Sequence, residues 1–83
     1  MDTLSKARLI REQYEKILMQ KKGVVGCAVG YKNVAGKNTD QICIICYVIK
    51  KIPEHQLDEA DLVPPMIDGI PTDVIESGEM RPL

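Results

Sequence analysis

Between Gln41 and Ile49 the chain reads Gln-Ile-Cys-Ile-Ile-Cys-Tyr-Val-Ile, with apolar or sulfur-bearing side chains at every position after the first. Most are β-branched or aromatic and none is Gly or Pro, a composition that suits a pleated strand better than a helix. Successive strand side chains point to opposite faces, so Ile42, Ile44, Cys46 and Val48 share one side and Cys43, Ile45, Tyr47 and Ile49 the other. Both sides are apolar, and both need cover. The pattern predicts a central strand over about 41–50.

Other patterns supply its neighbours. Leu4, Ala7, Ile10, Tyr14, Ile17 and Leu18 recur at three- and four-residue steps, predicting an amphipathic helix over 3–20. Asp2 or Thr3 is placed to cap its start, and Lys21, Lys22 and Gly23 suit its end. A strand is predicted over about 24–31, with Val25, Cys27, Val29 and Tyr31 on one face and the nearly flat Gly26, Ala28 and Gly30 on the other. A loose polar loop from Asn33 to Asp40 then leads into the central strand. Pro53 ends that strand, and the spacing of Leu57, Ala60 or Asp61, and Leu62 predicts a short helix over about 54–62, closed by Pro64 and Pro65. Asp68-Gly69 marks a turn, and Thr72 to Ser77 reads as a short edge strand over 72–77. The result is an α+β fold in the order αββαβ, with the N-terminal helix packed on a three-stranded mixed sheet formed by a hairpin and a crossover strand.

Eighty-three residues make a single domain, 1–83, near the size where one core is only just sufficient. Hydrophobic residues at 45% and charged residues at 28% exclude disorder as the class. No apolar run approaches the ~20 residues of a membrane helix, and Lys6, Arg8 and Arg11 break up any signal-peptide core, so a cytoplasmic location is expected. Three cysteines, an odd number, argue against a secreted disulfide framework. Charge is unevenly spread: residues 1–52 hold ten basic and four acidic side chains, whereas residues 53–83 hold eight acids and only Arg81. That asymmetry suits attraction between two parts of a molecule or between two copies of it.

Candidate chemistry is sparse. Cys27, Cys43, Cys46 and His55 have the ligand types of a Cys3His zinc site or of a small metal- or thiol-dependent enzyme. Against this, Cys43 and Cys46 lie three apart in a strand and face opposite ways, and His55 sits in a charged segment. Buried structural thiols are the simpler reading. The two serines, Ser5 and Ser77, lie outside any Gly-x-Ser-x-Gly turn. Gly23, Gly26 and Gly30 do not form a dinucleotide fingerprint, and a near-neutral chain with only Tyr as its aromatic residue argues against nucleic-acid binding. No catalytic residue, cofactor or metal is expected, and neither nucleic acid nor membrane is expected as a partner.

Three segments carry a resemblance: Gly23 to Tyr31, Cys46 to Lys51, and Met66-Ile-Asp-Gly-Ile-Pro-Thr-Asp-Val-Ile-Glu-Ser-Gly-Glu-Met-Arg81. Together they resemble the N-terminal region of bacterial trypsin-like serine peptidases, most specifically at Ile67 to Val74. The resemblance implies a non-catalytic accessory domain, either excised or free-standing, because no peptidase triad accompanies it. One long and one short helix cannot cover both sheet faces. Cys43, Ile45, Tyr47 and Ile49 are therefore expected to form an interaction surface, for a homo-oligomer or a docked peptidase domain.

Overall fold

The computed structural model describes residues 2–78. Its first element is helix α1, Thr3–Met19, which starts where Asp2 Oδ1 accepts the Ser5 N–H at 2.7 Å. That bond satisfies one of the free N–H groups of the first turn and holds the Asp2 carboxyl below its ordinary pKa. Ala7, Ile10 and Leu18 form the buried stripe, with Tyr14 packed beside them. Leu4 and Ile17, expected in that stripe, are exposed.

Strand β1, Val24–Val34, and strand β2, Lys37–Val48, pair antiparallel. Both run further toward their connection than the periodicity indicated, and the loose Asn33–Asp40 loop is replaced by a two-residue turn at Ala35-Gly36. Both turn residues have positive φ, 52° and 80°, the backbone sense that matches the twist of a hairpin. Asn33 holds the turn from outside: its side chain accepts the Gly36 N–H at 3.1 Å and donates to Asn38 Oδ1 at 3.2 Å. Pairing of Asn38 with Asn33 here overrides the low strand propensity of Asn.

The segment predicted as a helix over 54–62 is instead two single 3-10 turns, Glu54–Gln56 and Glu59–Asp61. Between them Leu57 and Asp58 are extended, with ψ near 143° and 149°. Nine residues bracketed by prolines are too few to nucleate a stable helix without a packed face. Strand β3, Met66–Ile67, then turns at Asp68-Gly69 into β4, Ile70–Glu76. Sheet order is β1-β2-β4-β3, with β2 and β4 parallel and β3 antiparallel to β4. Among the described residues the fold is thus α+β with four strands rather than three; two-residue β3 is too short to leave a period in the sequence.

One sheet face packs under α1, where Val24, Ile44, Cys46, Val48, Ile67 and Ile70 join the helix stripe in a single core. An extra residue at Val25 shifts the register, which is why Val24 rather than Val25 points into that core. The other face is covered by the hairpin itself. Ala28 stands opposite Ile45, and Ile45 beside Asp73. A straight β1 would carry Asn33 about 16 Å beyond that row at the usual rise per residue. Instead the Asn33 N–H donates to Asp73 Oδ2 at 3.1 Å, and Lys32 Nζ to the Thr72 carbonyl at 2.9 Å. The strand therefore curls at the register shift between Tyr31 and Asn33 and lies across the face that carries Cys43 and Ile45. Gly30 permits the approach, since a Cβ there would stand 2.8 Å from Ile45 Cδ1.

Candidate functional site

The start of β1 and the end of β2 lie at the margin of the core beneath α1, next to the irregular segment that follows β2. Val24, Val48 and Val74 form the floor of a groove of about 450 Å³, and the irregular segment 50–63 forms its wall. Ile52, Leu57, Leu62 and Val63 line that wall, each half-buried and none fully covered. The backbone is extended at Leu57 and at Leu62, ahead of Val63-Pro64, and all three apolar side chains line the opening. Two bonds pin the wall to the end of α1: Lys21 Nζ donates to the Ala60 carbonyl at 2.8 Å, and the Lys22 N–H to Asp61 Oδ1 at 2.9 Å. A third, from the Lys51 N–H to Glu76 Oε1 at 3.3 Å, ties the wall to β4. Lys22, Lys50, Lys51, Glu54 and Asp61 stand around the groove. The arrangement offers an apolar surface with charges of both signs at its margin, which suits binding an apolar side chain or segment of another protein.

The four residues of the zinc or thiol reading do not converge. Cys27 and Cys46 are cross-strand partners on the α1 side of the sheet. Cys43 is buried on the opposite side, and His55 is exposed in the first 3-10 turn. Among the described residues no group of three or more His, Cys, Asp or Glu is arranged to hold a metal ion. All three thiols are pushed above their ordinary pKa by burial. Cys46 reaches about 12, the neighbouring Cys27 sulfur adding to the shift. For Cys43, Asp73 raises the value further while Lys32 opposes it, which fits the curled hairpin lying above it.

The expected patch of Cys43, Ile45, Tyr47 and Ile49 is corrected in its exposure. Cys43 and Ile45 are 0% and 6% exposed within the single chain, Tyr47 is half-buried and only Ile49, at 42%, is open. Lys32, Asn33 and Asp73, which bring the hairpin over that face, carried no signal as a set, because they meet across forty residues of chain. Groove residues Leu57 and Leu62 did stand out in the sequence as apolar positions between prolines, but as helix landmarks. Among the described residues, no helix is long and apolar enough to cross a membrane.

Comparison with known proteins identifies the chain at the level of a domain family. None of the curated proteins matches it. Residues 1–76 match the family described as the NARROW LEAF 1 N-terminal domain. This match overturns the resemblance to the N-terminal region of bacterial trypsin-like serine peptidases, which rested on three short segments, whereas the family match takes in α1 and every strand. Glu79, Met80 and Arg81, the last residues of the third of those segments, lie outside the described residues. On the extent of the match, from residue 1 to the end of β4, the chain belongs to the NARROW LEAF 1 N-terminal domain family.

Proposed function

We propose that this domain is a non-catalytic interaction module that associates with a second copy of itself through the groove between the end of β2 and the 50–63 wall. The observation that carries the reading is the set of half-buried apolar side chains, Ile52, Leu57, Leu62 and Val63, over which no helix lies among the described residues. Burying such side chains against a partner contributes about 25 cal/mol per Å² of apolar surface. Charge favours another copy as the occupant. Residues 53–78 carry seven acidic side chains and no Lys or Arg, whereas α1 and the hairpin are basic and expose Ile17, Tyr31 and Val34. The acidic stretch 53–78 of one copy is complementary to the basic, partly apolar surface of the next.

Sedimentation velocity from about 5 to 100 μM at low and high salt tests the reading, at concentrations where a weak interface populates dimers. Association that weakens with salt, and that Leu57→Asp abolishes while the circular dichroism spectrum is preserved, is the expected result. A strict monomer throughout that range would overturn it.

A further inference from the structure

We propose that Cys27 and Cys46 form an oxidisable dithiol that closes to a disulfide inside the sheet when the protein meets hydrogen peroxide. The register places them directly opposite each other on adjacent antiparallel strands, on the same face. Opposed residues in such a pair have Cα atoms about 4.5 or 5.5 Å apart. Both distances fall within the roughly 4.4–6.8 Å span that a disulfide bridges without backbone movement. The third thiol is excluded by the same geometry. Cys43 lies three residues from Cys46 along one strand, about 10 Å away at the strand rise, and faces the opposite side of the sheet.

Access assigns the roles. Cys27 is partly exposed on β1, the outer strand of the sheet, whereas Cys46 is fully buried in the central strand. The peroxide therefore meets Cys27 first. The Cys27 sulfur, its proton lost to solvent, attacks one peroxide oxygen; the O–O bond breaks and the leaving hydroxide takes a proton to become water. Cys27 is left as the sulfenic acid. The Cys46 sulfur then attacks the Cys27 sulfur, the S–S bond forms, and the hydroxyl group departs with the Cys46 proton as a second water. Each sulfur gives up one electron in total, and the peroxide is reduced to two waters. The product ties the outer strand to the central one beneath α1 without disturbing the groove.

Hydrogen peroxide added to the native chain, followed by intact mass and non-reducing peptide mapping, tests the assignment. The expected product has lost two hydrogens, yields a Cys27–Cys46 cross-linked peptide, and returns to the starting mass with dithiothreitol. Cys43→Ser should still form it, and Cys27→Ser should not. A link involving Cys43, oxygen added at Cys27 with no cross-link, a disulfide found only between molecules, or no reaction would each overturn the proposal. The peptide map of the unsubstituted chain decides the question even where a variant fails to fold.

Discussion

Cys46 has no exposed surface, and burial together with the adjacent Cys27 sulfur pushes its thiol up to about 12 from an ordinary value of 9.0. A folded-state pKa above the unfolded one means that the native protein holds this proton more tightly. The stability linked to it is complete below pH 9 and is lost as pH rises from about 9 to about 12. Urea denaturation from pH 7 to 11 should therefore show stability falling above pH 9, with a shallower fall in Cys46→Ala; parallel slopes in the two proteins would contradict the assignment. Thr72 shows the complementary case of a buried polar residue that is fully used. Its hydroxyl donates to the Pro64 carbonyl, its N–H donates to the Pro65 carbonyl at 3.0 Å, and its own carbonyl accepts Lys32 Nζ at 2.9 Å. One residue thereby joins the proline segment, β4 and the curled hairpin, which is why the most buried polar side chain of the sheet is no liability.

The two hairpin turns make a matched pair at the scale of elements. Asp68-Gly69 and Ala35-Gly36 adopt the same sense of backbone, with φ of 48° and 84° in the first and 52° and 80° in the second. Asp tolerates positive φ through its short polar side chain, whereas Ala has no such compensation. This difference explains why the Asp-Gly turn was legible in the sequence and the Ala-Gly turn was not. Ala35→Asn should therefore raise stability by about 0.5–1 kcal/mol in denaturant titration, since Asn-Gly is the favoured pair for this turn. A neutral or destabilising outcome would mean that the turn is held mainly by Asn33 rather than by its own backbone preference. The same comparison accounts for the missing helix after Pro53: apolar spacing was present there, but helical length and a face to bury were not.

Over the whole molecule, two different devices cover the two faces of one sheet. Helix α1 serves one, and the curled end of the hairpin, held by Lys32, Asn33 and Asp73, serves the other. Asp73 also accepts the N–H of Val74 at 3.0 Å, so one carboxylate both latches the hairpin and caps a donor of β4. Asp73→Ala should release the hairpin end locally. Alkylation of Cys43 should then accelerate several-fold relative to Cys46, as read by mass-mapped labelling. An unchanged Cys43 rate would contradict the latch, and an equal rise at Cys46 would indicate global unfolding instead. With Cys43 and Ile45 covered in this way, an apolar groove remains open beside the 50–63 segment.

Local pattern determined the elements that depend on nearby residues. The three- and four-residue recurrence from Leu4 to Leu18 specified α1, and the run from Ile42 to Val48 specified a strand buried on both sides. Asp68-Gly69 specified its turn, because that conformation is encoded in two adjacent residues. What only the tertiary structure decided was how the second face is covered. Lys32 meets Thr72, and Asn33 meets Asp73, across forty residues, and no periodicity records a contact of that range. A sequence reports that an apolar face must be buried; which part of the chain buries it depends on the curvature of a strand, and that curvature is set by register, a glycine and a carboxylate brought together only in the folded molecule.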